Sequence, residues 1–287
     1  MIQFRNATLK RKRNVLALKG VSLAVESNAL CGVFGRDGAG KTSLFSLIAG
    51  YQMPTEGTVS VLGEDPYDNP AVMPKVAFAF VRPESENAVT YKDMMDCCKA
   101  FRPRWDESKA KVLADMFQIP IKKPFSSLTR GTMVAAKAAL ALASNPEVAI
   151  YDEICSGLEP DARRLLIGEI LDDYKKQPKT VLFSTHYIAE AEKLFKKALI
   201  LDEGKVSAMG ECETLLNSCY IVSGEEKSLK KLLVKSSCDV SGKLVILNGL
   251  EDSEIEKAKK LGLEISHPSL EEYVAFKTEK GGEANGG

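Results

Sequence analysis

Gly35-Arg36-Asp37-Gly38-Ala39-Gly40-Lys41-Thr42 is the stretch on which the fold turns. It fits the pattern G-x-x-x-x-G-K-[ST] and stands between an apolar run, ALCGVFG at 29–35, and a helix-forming run, KTSLFSLIAG at 41–50. Strand, glycine-rich loop and helix in that order make a polyphosphate cradle. The glycines let successive backbone N–H groups turn inward, and the helix N-terminus adds the positive end of its dipole. Lys41 supplies a point charge for β- and γ-phosphates, and Thr42 a hydroxyl for Mg²⁺. Residues Gly35 to Thr42, with Ser43 in the first helical turn, are therefore the candidate nucleotide-binding residues. A chance match to the pattern occurs in on the order of one protein in a hundred of this length, and the strand-loop-helix setting lowers that further.

A second run, Val148-Ala149-Ile150-Tyr151-Asp152-Glu153, is an apolar strand ending in two carboxylates. Asp152 at the strand end suits an acid on the Mg²⁺ side of a nucleotide. On an extended backbone neighbouring side chains point to opposite faces, so Glu153 is expected to face away from Asp152 and to polarise an attacking water. Taken alone, such a run more often ends in a solvated acidic turn; downstream of a phosphate loop the catalytic meaning prevails.

Around these two runs the first two hundred or so residues alternate short apolar segments with helical ones, the rhythm of an α/β fold with a largely parallel sheet. Buried strands are predicted at Leu30–Gly35, Val76–Val81, Val148–Tyr151, Val181–Ser184 and Ala198–Leu201. Between about residues 82 and 145 the strand pattern vanishes. DMMDCCKAFRPRWDESKAKVLADMF reads as two helices broken at Pro103, and GTMVAAKAALALAS as a third, so a helical subdomain is inserted in the sheet. The predicted class is thus a P-loop NTPase over residues 1–216, with a small α/β appendage at 217–279. The tail, KGGEANGG at 280–287, is expected to be disordered.

Composition narrows the function. The chain has 287 residues, with 39 Lys+Arg against 39 Asp+Glu, so its formal net charge is zero. That argues against nucleic acid as the partner, since such binding scales with the phosphates neutralised. The seven cysteines include no CxxC pair and suggest neither a zinc site nor a disulfide framework. No run approaches the ~18 apolar residues of a membrane span, and the N-terminus has no apolar signal core. Any role at a membrane must come through a partner.

Further residues accumulate into a pattern. Leu128-Thr129-Arg130-Gly131-Thr132 precedes the acidic pair, and Ser156-Gly157-Leu158-Glu159-Pro160 and Ser184-Thr185-His186 follow it. Together with ALALASNPEVAIYDEICSGLEP and LILDEGKVSAMGECETLL, they resemble the signature, D-loop and switch histidine of ATP-binding-cassette (ABC) ATPases. The resemblance covers residues 1 to about 216. It implies that two cassettes meet head to tail, each ATP clamped between one chain's P-loop and the other's signature. Thr129 and Gly131 would then contact the γ-phosphate held by the partner chain, from the start of a helix beginning near Thr132. His186 would bond the γ-phosphate and the attacking water in its own chain. The other histidine, His267, reads as a surface residue. The resemblance also implies a cytoplasmic ATPase, peripheral on the inner face of the membrane through integral membrane partner subunits. The cassette partner would be an identical or a homologous chain.

Departures from the family pattern carry information too. No glutamine follows VAFAFV where the Q-loop residue is expected; the segment reads Arg82-Pro83-Glu84, and Glu84 is a substitute oxygen donor for Mg²⁺. No aromatic stands near the N-terminus to stack on adenine. Arg11 lies near that position and a guanidinium can stack on a purine, although Lys10–Arg13 reads equally as a solvated basic turn. Arg130 replaces the first signature glycine, a feature that resembles ABC-2 type export cassettes, and Thr132 the terminal glutamine. Glu159 replaces the D-loop aspartate. HPSLEEYVAF near the end resembles the S-L-E-[ED] ending of the same export group. The expectation is an ATP-hydrolysing transporter subunit, with export favoured. The alternative is an ATP-driven dimerisation switch that hydrolyses weakly, in a heterodimeric transporter or a regulatory ABC protein.

Overall fold

The computed structural model describes residues 1–11, 15–80, 88–232, 237–240, 243–246 and 249–278. Glu84 and its neighbours, Lys12 and Arg13, and the tail at 280–287 lie outside them.

The chain begins with β1 (Ile2–Lys10) and β2 (Leu16–Val25), an antiparallel pair, and then β3 (Leu30–Phe34) leads into helix α1 (Lys41–Ile48). Strand β4 (Glu56–Val61) returns to the free edge of β1, completing a three-stranded antiparallel sheet. After β5 (Val76–Ala79) come three helices, α2 (Tyr91–Phe101), α3 (Glu107–Met116) and α4 (Arg130–Ala143). Each has a side-chain cap: Thr90 in a reciprocal box with Asp93, Asp106 on the Lys109 amide, and Thr129 on the Thr132 amide. The helix carrying the signature therefore starts at Arg130, two residues before the predicted Thr132, because the Thr129 hydroxyl caps it.

Strand β6 (Val148–Asp152), α5 (Pro160–Lys176), β7 (Thr180–Ser184), α6 (Ile188–Ala191), β8 (Lys197–Asp202) and β9 (Lys205–Glu211) complete the main body. Its central sheet has the order β5-β6-β7-β3-β8-β9, parallel except for β9. The sheet is covered on both faces, and its strands accordingly read as unbroken apolar runs. Alternate residues serve two cores. Val148 and Ile150 pack with α1 and the antiparallel sheet, whereas Ala149 and Tyr151 pack with α4 and α5. Helix α4 is alanine-rich and buried along most of its length, so small side chains admit α3, α5 and β5 at close range.

Beyond α7 (Cys212–Asn217) lies a separate sheet built from β10 (Tyr220–Ser223), β11 (Ser237–Val240), β12 (Lys243–Ile246) and β13 (Glu264–Ser266). Helices α8 (Glu226–Leu232) and α9 (Asp252–Lys260) connect them in the order β-α-β-β-α-β. The sheet order β11-β12-β10-β13 is antiparallel throughout, the ferredoxin-like arrangement. Strands β11 (SCDV) and β13 (EIS) are short, with little pattern for a sequence reading to find. The last helix, α10 (Leu270–Thr278), turns back to the main body, where Leu270, Tyr273 and Val274 join the core beside Ala191 and Ala198. The SLEE run starts it: the Ser269 hydroxyl accepts from the Glu272 amide at 3.2 Å, and the Glu272 carboxylate accepts from the Ser269 amide at 3.0 Å. No helix among the described residues is long and apolar enough to cross a membrane.

Candidate functional site

The phosphate loop spans the carboxyl end of β3 and the first turn of α1. Gly35 has φ 147 and Gly40 φ 110, and neither has room for a side chain. A Cβ would lie 2.3 Å from the Leu201 carbonyl at Gly35, and 2.7 Å from that of Ala17 at Gly40. The β8–β9 turn, Glu203–Gly204, braces the loop: the Gly204 amide donates to the Ala39 carbonyl at 3.0 Å. Lys41 begins α1 and curls into the loop, where its ammonium donates to the carbonyls of Gly35 at 2.7 Å and Arg36 at 3.3 Å.

Periodicity brings the acids to this loop. Val148 and Ile150 face the layer that holds α1, so Asp152 emerges on that side, at the helix's first turn. There the Thr42 hydroxyl donates to its Oδ2 at 2.6 Å. Ser184, paired with Asp152 in the β6–β7 ladder, donates to Oδ1 at 2.7 Å. Burial pushes the Asp152 carboxyl above the ordinary aspartate value, against the opposing pull of these two donors. The role of Ser184 escaped the sequence reading. An isolated Ser at a strand end carries no signal for which face it takes or which carboxylate it meets.

Glu153 departs from the expected extended backbone. Its φ is 53, because β6 ends at Asp152 and the Glu153 amide folds back onto Ser184, donating to that residue's carbonyl at 3.2 Å and hydroxyl at 3.0 Å. The turn, rather than strand alternation, separates the two carboxylates. Glu153 Oε1 lies 3.4 Å from Lys41 Nζ and 2.9 Å from His186 Nε2; the same imidazole nitrogen is 3.3 Å from Asp37 Oδ1. Cation, carboxylate and imidazole thus touch in series at the ends of adjacent strands, an arrangement able to accept a proton from water beside a polyphosphate.

A cavity of about 520 Å³ opens over this group, lined by residues 36–43 together with Asp152 and Glu153. Arg11 lines it as well, its guanidinium donating to the Ser43 hydroxyl at 2.7 Å, beside Leu16 and Ala17. Thr129 and Gly131 are not brought here; they line a separate cavity of about 510 Å³ with Gly157 and Glu159. Arg130 reaches both cavities and donates to the Ser156 hydroxyl at 3.1 Å. Glu84 falls outside the described residues. His267 is exposed and bonds the Cys219 carbonyl at 2.9 Å, far in sequence from the loop.

Residues 18–156 match the family model described as ABC transporter. The Nod factor export ATP-binding protein I of Burkholderia thailandensis is 30% identical over 217 residues, 73% of this chain and 70% of that protein. The ABC transporter ATP-binding protein NatA of Bacillus subtilis is 26% identical over 215 residues, 72% of this chain and 87% of that one. Among solved structures, a bacterial ABC transporter cassette determined as a dimer shares the fold, with a TM-score of 0.66, 21% identity and coverage of 74% of this chain and 98% of that chain. The chain belongs to the ABC transporter family. It is an ATP-binding subunit of that family and an ATPase.

Proposed function

We propose that the chain hydrolyses ATP in a cassette dimer to drive separate membrane-spanning subunits, and that the transport is export. The observation that carries this is the contact series Lys41–Glu153–His186 beside Thr42–Asp152–Ser184, drawn from the ends of β3, β6 and β7. In this reading Lys41 and the loop amides bind the β- and γ-phosphates, Glu153 orients or deprotonates the attacking water, and His186 steadies the γ-phosphate. Thr42 and Asp152 offer two hard oxygen donors 2.6 Å apart, a donor set that fits Mg²⁺, with Glu84 as a further candidate. Mg²⁺, when bound there, offsets phosphate charge. Arg11 lines the same cavity, and in this reading its guanidinium stacks on the base. Thr129 and Gly131, absent from their own chain's cavity, act on the ATP of the partner chain, which is why a dimer is required. The dimeric cassette of the same fold supports this arrangement, and the export proteins among the relatives support the direction of transport.

The decisive variant is Glu153→Gln. It keeps the shape of the side chain and removes the base, so turnover should fall by about 10² or more while an ATP-bound dimer accumulates on size-exclusion chromatography. Unchanged hydrolysis would remove Glu153 from the mechanism. Purification of the chain with a hydrophobic membrane subunit, and without nucleic acid, tests the assignment of partners.

A further inference from the structure

One buried cation next to the site takes no part in this phosphate chemistry. Arg163, in α5, is 6% exposed, an unusual position for a guanidinium. Its Nη1 donates to Glu190 Oε1 at 2.7 Å and its Nη2 to the Leu158 carbonyl at 3.3 Å, and its central carbon lies 3.5 Å from the centroid of the Tyr187 ring. Its Nε is buried with no hydrogen-bond partner. A residue kept only for packing would do better as leucine or methionine, because a buried ion pair with an unsatisfied donor adds little stability. What the guanidinium does achieve is geometric. Leu158 lies in the loop between Glu153 and α5, whereas Tyr187 and Glu190 follow His186. One planar group therefore holds both the loop beyond the acid and the segment that carries the imidazole.

The imidazole depends on such support. The His186 side chain is half exposed, and its contacts are with Glu153 and with the almost fully exposed Asp37 carboxylate. On its C-terminal side the backbone is fixed by the Tyr187 amide donating to the Thr185 hydroxyl at 3.0 Å, and the Tyr187 ring by its stack on Arg163. We propose that Arg163 is a positioning residue for hydrolysis: with Tyr187 and Glu190 it clamps the segment after His186 to the loop after Glu153, holding imidazole and carboxylate at contact distance. This rests on the reading of Glu153 and His186 as the hydrolytic pair.

Tyr187 gives the cleaner test, because it is partly exposed and its replacement leaves the core intact. In the full chain with Mg²⁺ and ATP, Tyr187→Ala should lower kcat by roughly ten- to a hundredfold, with KM and melting temperature nearly unchanged, as expected when a reacting group is misplaced by about 1 Å. Tyr187→Phe keeps a ring face for the guanidinium and should stay within about twofold of the parent. The chain has only two histidines, so its imidazole C–H signals can be resolved by NMR. Tyr187→Ala should move or broaden the His186 signal and leave that of His267 in place. An unmoved His186 signal overturns the clamp, whether or not the isolated chain turns over ATP. So does a fall in kcat shared equally by Tyr187→Phe, or one that merely follows a lowered melting temperature. His186→Ala separates the two levels. If it retains full turnover, the hydrolytic assignment itself fails; if it is inactive while Tyr187→Ala has parental kcat, only the clamp fails.

Discussion

Ser184→Ala removes a single hydroxyl that is fully buried and holds the Asp152 carboxylate from the next strand. The structure sets how much should be lost. Asp152 keeps the Thr42 hydroxyl at 2.6 Å, and the Glu153 amide keeps the Ser184 carbonyl at 3.2 Å, so neither partner is orphaned. What goes is one hydrogen bond to a charged acceptor, worth about 1.5–3 kcal/mol, together with the weaker bond that the hydroxyl accepts from the Glu153 amide at 3.0 Å. At about 2 kcal/mol the melting temperature of the nucleotide-free chain should fall by roughly 4 °C or more. Ser46→Ala is the matched control. The Ser46 hydroxyl is also buried and donates at 2.7 Å, but to the neutral Thr42 carbonyl one turn back, and its loss should cost about 1 kcal/mol or less. Both variants are compared with the parent by differential scanning calorimetry at neutral pH. A Ser184→Ala loss no larger than that of Ser46→Ala would show that Asp152 is not a charged carboxylate relying on Ser184. The account of how the acid is held beside Thr42 would then be wrong. Activity adds a second reading: with one donor to the carboxylate gone, the acid limb of the pH–rate profile should move to higher pH.

Burial raises the folded Asp152 pKa above its ordinary value of 3.8, so the folded chain binds more protons than the unfolded one as pH rises from that value, and stability falls through the window. Asp152→Asn cannot ionise; its melting temperature relative to the parent should climb as pH rises above 3.8 in metal- and nucleotide-free buffer, and a constant difference would contradict the burial cost. Gly131→Ala places a Cβ 2.5 Å from the Gly157 carbonyl and forces the two loops apart. Steady-state turnover should drop about tenfold or more, with ATP affinity at the phosphate loop retained; parental turnover would refute the contact. Leu270→Ala empties a fully buried position where α10 meets the main core and should cost about 2–5 kcal/mol by thermal or urea unfolding. A loss under about 1 kcal/mol would mean that α10 is not anchored there.

The parallel strands and the phosphate loop were legible because their causes are local. A strand buried on both faces is a short apolar run, and a glycine-rich turn followed by Lys-Thr has few other uses. The antiparallel sheet was not, since its pattern is broken where the sequence would show it. In β1 a residue with φ 48, Asn6, interrupts the alternation, and the register with β2 shifts on either side of Ala7. The SLEE run stood out only as a family ending. Its physical work, capping α10 and seating Leu270 near α6, depends on contacts with residues some eighty positions earlier: the Leu270 amide donates to Glu192 Oε1 at 2.7 Å.

The site divides in the same way. Thr42, Asp152 and Ser184 are separated by 110 and 32 residues along the chain, and the two strand residues meet Thr42 because of one parity rule applied twice. Ile150 and Leu182 face the core that contains α1, so two residues on, Asp152 and Ser184 leave the sheet on that same side, and in register with each other. A slip of one residue between β6 and β7 would turn Ser184 toward the other core and leave Asp152 a buried acid with one donor. Parity also ends where the ladder ends. Glu153 is beyond it, and the direction of its carboxylate is decided by a left-handed backbone turn fixed by two bonds to Ser184. The residue that orients the Asp152 carboxylate therefore also sets the turn that presents Glu153, and a single serine ties both carboxylates to the register of two strands.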